Sequence, residues 1–333
     1  MKSKIIKNKS DLYFPCTREF SIENNPYRSI VVDITQRCNL DCNVCFNPVR
    51  SNQFDMGIDY FEEVCKRLPN PVSWKIIGGE PTMHPDFFDF LRIAYKHGHH
   101  AYFSSNGYKF LDDDFMRELK DLPFAPTPGM TMDGGYSSEK SDEVYTAIND
   151  RPLRDLKLEA LESLHKYKIG RVALHAILVR DYNEYVVGDM LNLADKYSDM
   201  IRYVQFRTMA KIGNWVDTEP FVMTDLKRLM AEHFTEEQLL PKSVYEVVCT
   251  PEDEYYSDCC FRFRPTKRLQ VSLIEFAAER GIKCPWKGKL IDEEFVVQSF
   301  HENLIEMNKS MTSALDDNEY GLVRIDINDI QVS

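Results

Sequence analysis

Apolar residues in this chain gather first into short runs and then into one-sided stripes. Runs of strand length lie near 30–35, 72–77, 101–105, 128–132, 171–178 and 202–207. Between them, apolar positions recur every three or four residues over 58–68, 85–98, 113–122, 153–167 and 184–197, the spacing of one helix face. A further stripe over 223–234 follows the last run and opens with Thr224-Asp225, residue types that cap helices. Six strand-then-helix units imply parallel strands joined by helical crossovers. The predicted class is therefore α/β. Ligands in such folds collect at the C-terminal ends of the strands.

The rhythm lapses after about Trp215, and the chain divides on that basis into three parts: a lead-in over 1–27, an α/β domain over 28–220 and a C-terminal extension over 221–333. The extension is expected to be small and irregular, with a helix over 292–307 and a polar, acidic tail. The 333 residues are enough for one large domain and an appendage. Apolar residues make up 43%, and the net charge of −12 argues against a nucleic-acid backbone as the main partner. No leader-like apolar segment is evident at the start, and the longest apolar stretch, 172–179, is too short to cross a bilayer. Nine cysteines in a chain of this length do not make a disulfide scaffold. With three of them clustered, a reducing cytoplasmic location is the expectation.

The clustered cysteines carry the chemistry. Cys38, Cys42 and Cys45 stand at C-x3-C-x2-C just after the first apolar run. Three thiolates on one short loop can hold three irons of a cubane cluster and leave the fourth open to a ligand. A closed zinc site wants a fourth ligand nearby, and no His or Cys lies within fifteen residues after Cys45. Further along, Gly78-Gly79-Glu80-Pro81, Ser104-Ser105-Asn106-Gly107 and Thr131-Met132-Asp133-Gly134 each end a predicted strand. Two glycines permit close backbone approach, and Glu80 can accept a charge-assisted bond from an ammonium group.

In this order, the four motifs resemble the radical S-adenosylmethionine (radical SAM) superfamily over roughly residues 28–215. One departure is Val44, where many members carry an aromatic residue before the third cysteine. The resemblance implies a partial (β/α)6 barrel and a 4Fe–4S cluster on Cys38, Cys42 and Cys45. It implies S-adenosylmethionine (SAM) on the open iron, cleaved to a 5′-deoxyadenosyl radical that abstracts hydrogen from a peptide or small metabolite. A transferase or oxidoreductase outcome and a one-electron donor such as flavodoxin or ferredoxin go with it. The implied cofactor contacts are Phe46, Gly78, Gly79, Glu80, Ser104, Asn106, Thr131, Asp133 and Arg151. Each has an ordinary alternative: Asn106-Gly107 and Asp133-Gly134 are also turn signals, and Phe46 is also a core residue.

Other positions stay open. Cys249, Cys259, Cys260 and Cys284 fall where periodicity has lapsed, and a second iron–sulfur cluster or buried thiols would both account for them. Cys65 reads as core. Arg207 at the end of the sixth strand is expected near the barrel mouth or in a surface ion pair. His97-Gly98-His99-His100 reads as a solvated helix end. A non-catalytic iron–sulfur electron carrier and a zinc-stabilised interaction module are the competing classes; neither explains the full motif series on six βα units.

Overall fold

The computed structural model describes residues 20–45, 54–209, 219–239, 260–275, 287–291 and 294–299. The six expected strands are present as β2 (Ser29–Asp33), β3 (Ser73–Ile77), β4 (His100–Ser105), β5 (Thr127–Thr131), β6 (Val172–Leu178) and β7 (Ile201–Thr208). The expected helices follow them as α1 (Ile58–Arg67), α2 (Phe87–Lys96), α3 (Asp113–Asp121), α5 (Arg154–Lys166), α6 (Val186–Lys196) and α7 (Met223–Ala231). Local chemistry sets their ends. Asp112, for example, caps α3 by accepting from the amides of Asp114 and Phe115 at 3.0 and 3.2 Å.

The sheet is open and mostly parallel, in the order β1-β11-β10-β2-β3-β4-β5-β6-β7-β9-β8. Its extra members are β1 (Phe20–Ser21), β8 (Cys260–Phe263), β9 (Gln270–Ile274), β10 (Lys287–Ile291) and β11 (Val296–Ser299). β9 extends the parallel run beside β7, and β10 does so beside β2. Segments near the end of the chain thus flank both sides of the six-unit core. A helix was expected over 292–307. Within it, Val296–Ser299 is instead a strand, paired with β10 and β1, and it buries Val297. Cross-strand pairing of β-branched residues outweighs a weak helical pattern there. A short α8 (Glu236–Leu239) follows α7, and α4 (Ser141–Asn149) was not expected at all.

Register and side-chain alternation sort the strands into two faces. Ile30, Val32, Trp74, Ile76, Phe103, Met130, Leu174, Val204, Phe206, Val271 and Leu273 lie on one face and are buried in the core under the helices. Aromatic rings fill much of that layer, among them Phe61 against Trp74 and Phe87 against Phe103, each 4.9 Å between centroids. Cys65 belongs to this core, as expected. The opposite, inner face carries Asp33, Lys75, Tyr102, Ser104, Thr131, His175, Gln205, Arg207 and Lys289. A polar inner face under an apolar outer layer is what a ligand-holding partial barrel requires.

Candidate active site at the C-terminal ends of the strands

The chain leaves β2 and enters the loop that carries the cysteines. Backbone bonds fix this loop to the turn after β3: Gly79 N donates to Thr35 O (2.8 Å) and Glu80 N to Arg37 O (2.7 Å). Gly78 adopts φ 153°, and a Cβ there would run into the Thr35 carbonyl oxygen. A Cβ on Gly79 would meet the Arg37 carbonyl oxygen and come within 2.7 Å of that of Gln36. The glycine pair therefore has a structural reason at this point: it lets the cysteine loop lie directly on the β3 turn. Arg37 adds an ion pair with Asp55, with Nη2–Oδ2 at 2.6 Å.

The unexpected helix α4 grips the loop from the other side. Asn43 N donates to Ile148 O (3.0 Å), and Asn43 Nδ2 donates to Ala147 O (2.6 Å). Val44 is buried against Val144, Ile148, Val179 and Met209, and Leu40 against Tyr145 and Leu153. An apolar plug at Val44 anchors the loop where an aromatic would otherwise stand. The three thiols remain partly exposed. Burial pushes the Cys42 thiol up to about 12, with the neighbouring Cys45 as the next cause and the Asn149 amide opposing. Asn149 Nδ2 lies 3.7 Å from Cys42 Sγ.

Around this loop the strand ends supply a connected set of polar groups. The Glu80 carboxylate is buried; Oε1 accepts from the hydroxyl and amide of Thr82 (2.5 and 3.2 Å), and Oε2 accepts from the Asn106 amide (2.6 Å). Burial raises its pKa, and those bonds oppose the rise. Asn106 donates through Nδ2 to Asn39 Oδ1 at 2.6 Å, which joins the end of β4 to the cysteine loop. Asp133 is also buried. Its Oδ1 accepts from Ile177 N (2.8 Å) and its Oδ2 from Asn149 Nδ2 (2.9 Å), tying β5, β6 and α4 together. Burial raises its pKa as well. Beneath these carboxylates lies Lys157, whose Nζ donates to Asn106 O (2.7 Å) and Thr131 Oγ1 (3.0 Å). Burial lowers it to about 8, although Asp133, Cys42 and Glu80 favour its charged form.

Deeper on the inner face, Arg207 Nη2 donates to His175 Nδ1 at 3.2 Å, and His175 Nε2 is bonded to the Tyr102 hydroxyl. With Nδ1 accepting, the neutral ring carries its proton on Nε2 and donates it to Tyr102. Both side chains lie over Gly129, where a Cβ would come within 2.6 Å of His175 Nε2. Arg207 is accordingly part of an inner-face network.

Residues 32–194 match the model of the radical SAM superfamily. The chain belongs to that superfamily of enzymes. It is 24% identical over 295 residues to the 7,8-dihydro-6-hydroxymethylpterin dimethyltransferase of Methanocaldococcus jannaschii, covering 84% of this chain and 57% of that one. It is 25% identical over 195 residues to the mycofactocin maturase MftC of Mycobacterium tuberculosis, covering 56% of this chain and 47% of that one. The chain therefore spans about half the length of these curated relatives. Among solved structures, SuiB of Streptococcus suis bound to the precursor peptide SuiA superposes with a TM-score of 0.53 at 13% identity, over 62% of this chain and 45% of that one. At that identity the likeness speaks for the fold alone.

Radical SAM proteins use a 4Fe–4S cluster and SAM. The donor set fits the cluster: three thiols on one anchored loop, close enough for Cys38 and Cys45 to influence Cys42. Among the described residues, no three His, Cys, Asp or Glu groups converge on a single point as a mononuclear metal needs. A cubane needs no such convergence, since each thiolate takes a separate iron. Gln36 Oε1 and Asn149 Oδ1, beside the loop, are buried without a hydrogen-bond partner, as atoms bordering a ligand can be.

The structure brings Cys38, Cys42, Cys45, Gly78, Gly79, Glu80, Asn106, Thr131 and Asp133 to one end of the sheet. Ser104 lies lower, on the inner face of β4, and Arg151 sits on an exposed bend between α4 and α5. Phe46, Cys249, Cys259 and Cys284 lie outside the described residues; Cys260 opens β8. The histidine run is a solvated helix end only in part: His97 caps α2 and Gly98 and His100 are exposed, but His99 is not. His99 is buried, accepting from Val72 N (3.2 Å) and bonding Cys65 O (3.0 Å), because the turn after α2 folds back under β3. Sequence reading missed Asn39, Asn149, Lys157 and the Tyr102–His175 pair. For Lys157 a signal existed: it shares a stripe with Leu153, Ala160, Leu161 and Leu164, all buried, so a lysine there needs a polar partner inside.

Proposed function

We propose that this chain is a radical SAM enzyme in which Cys38, Cys42 and Cys45 hold a 4Fe–4S cluster with one iron left for SAM. When bound, the pair supplies one-electron reductive cleavage of SAM to a 5′-deoxyadenosyl radical, which takes a hydrogen atom from substrate. The observation that supports this reading is the seating of the cysteine loop between the Gly78-Gly79 turn and α4, at the strand ends where the cofactor-contact motifs converge. Gly78, Gly79 and Glu80 present the turn beside the open iron. Asn106, Thr131 and Asp133 supply polar groups at the neighbouring strand ends. Lys157 keeps positive charge under the buried carboxylates, and Leu40 and Val44 seal the loop from behind. Ser104, Phe46 and Arg151 are the remaining proposed contacts.

The substrate is proposed to be a small metabolite or a peptide. One relative is named for a pterin and one structural neighbour was solved with a precursor peptide. The polar inner face suits a polar substrate portion, held near Arg207 and His175. Flavodoxin or ferredoxin is the proposed electron source, and Cys249, Cys259, Cys260 and Cys284 are the proposed ligands of a second cluster. Among the described residues no helix is long and apolar enough to cross a membrane, and a cytoplasmic place for the enzyme is part of this proposal.

Anaerobically reconstituted, dithionite-reduced protein should form 5′-deoxyadenosine from SAM, and the Cys38/Cys42/Cys45→Ala variant should form none. The same variant should retain about four irons if the downstream cysteines hold a second 4Fe–4S cluster. Undiminished product from the variant would remove the first assignment, and an iron-free variant would remove the second.

A further inference from the structure

At the opposite end of the strands from the cysteine loop, two cavities lie side by side. The first, of about 470 Å³, is bordered by Arg171, Arg202, Arg264, Lys267, Arg268 and Asp199. Arg171 precedes β6, Arg202 is the second residue of β7, and the other three cations sit on or beside the turn from β8 to β9. The parallel register therefore brings them together at the base of the sheet. At ~3.3 Å per residue, a strand as long as β6 separates this base from the cysteine end by about 20 Å.

The cations here are placed differently from several other arginines of the chain. Elsewhere in the described residues, Arg37, Arg67, Arg92, Arg117, Arg154 and Arg180 each stand on a carboxylate. None of the five cations at the cavity has such an ion pair among the described residues. The cavity's one lining carboxylate, Asp199, takes His165 Nε2 at 3.1 Å. Among the described residues Arg202 donates to backbone carbonyls alone, through Nη2 to Asp199 O (2.6 Å) and through Nη1 to Ser198 O and Ile201 O, and Arg264 reaches the Gln270 amide oxygen at 3.5 Å. In a chain of net charge −12 with 53 acidic residues, five cations gathered round a hollow with Asp199 as the single lining carboxylate among the described residues mark a place for an anion.

The second cavity, of about 390 Å³, shares Arg171 and Tyr203 with the first and is bordered by rings. Tyr95 and Phe124 stack at 4.4 Å and 16°, and Tyr95 is 51% exposed. Tyr102 also lines this cavity while its hydroxyl bonds His175 on the inner face. The two hollows thus form one groove, cationic at one end and aromatic at the other. Each has the volume of a small-molecule site, and the acidic whole disfavours an extended polyanion.

We propose that this groove binds a nucleoside phosphate, with the phosphates among Arg171, Arg264, Lys267 and Arg268 and the base against the Tyr95–Phe124 end. The site is distinct from the proposed cofactor site and reaches the inner face through Tyr102.

The test is equilibrium binding of ATP to the Cys38/Cys42/Cys45→Ala protein, so that the result does not depend on the cofactor reading, and to the reconstituted protein with saturating SAM. ATP should bind saturably at about 0.15 M salt and about tenfold more tightly than inorganic triphosphate or adenosine alone. Arg264→Ala/Arg268→Ala should weaken ATP and triphosphate about tenfold, whereas Phe124→Ala should weaken ATP and leave triphosphate unchanged, with thermal melts confirming that both variants fold. Triphosphate binding as tight as ATP, an acidic peptide such as hexaglutamate binding equally well, unchanged ATP affinity in the arginine variant, or no saturable ATP binding would each overturn the proposal.

Discussion

Lys157 stands where the helical pattern asks for an apolar residue, and its charge is the price of two buried carboxylates nearby. Burial is the dominant influence on it and lowers its pKa from 10.5 to about 8; Asp133, Cys42 and Glu80 pull the other way. Between those two values the unfolded chain binds the proton that the folded chain has released. Stability of the wild type should therefore rise with pH over that interval relative to Lys157→Met, by about 2 kcal/mol from pH 8 to pH 10. Denaturant melts of the two proteins across that range check it, and parallel profiles would count against a buried, titrating lysine. Glu80 carries a second residue-scale expectation. Its three internal donors are matched to a carboxylate, and in Glu80→Gln the amide NH2 must face the Thr82 group or the Asn106 amide. A lost charge-assisted bond costs about 1.5–3 kcal/mol. SAM affinity should fall by about tenfold or more while iron content stays near that of the wild type, with a lowered melting temperature from the mismatched amide. Wild-type SAM affinity in that variant would contradict the proposed contact.

Among the elements, the cysteine loop is held by two neighbours of different legibility. The Gly78-Gly79 turn stood out in the sequence, though for closeness to a ligand; the structure adds that backbone of residues 35–37 occupies the space a Cβ would need. Gly79→Ala should accordingly displace the loop with all three cysteines intact. Iron incorporation after reconstitution should drop to less than about half, with loss of roughly 2 kcal/mol or more in stability from overpacking against rigid backbone. Full iron content in that variant would show that the loop does not depend on the turn. The second neighbour, α4, was not legible. Its nine residues SDEVYTAIN bury Val144, Tyr145, Ile148 and Asn149 through contacts with a loop a hundred residues away. Val144, Ala147 and Ile148 do keep a helical spacing, but over little more than one turn, too short a stripe to announce a helix by itself. The strands β8 to β11 were missed for a related reason: short segments such as Cys260–Phe263 and Val296–Ser299 acquire strand character from partners far along the chain. The six central units, whose patterns are strong and local, were read correctly within a few residues.

At the scale of the whole molecule, one sheet separates three environments. Its outer face is an apolar layer under helices, its inner face carries Lys75, Tyr102, His175 and Arg207, and its two ends hold the proposed cofactor and anion sites. The convergence of the motif residues was readable from sequence because they are carried on strand ends that the parallel order brings together. The inner-face network was not, because Tyr102, His175 and Arg207 come from strands whose register no local signal reveals. The account's central claim is that three cysteines leave one iron open and that SAM binds there. Electron paramagnetic resonance of the reduced, reconstituted protein tests it most directly. Addition of SAM should change the g values of the cluster signal in the wild type, with the change weakened in Glu80→Gln and the signal absent from the site when Cys38, Cys42 and Cys45 are replaced by Ala. A wild-type spectrum unchanged by saturating SAM would contradict the claim.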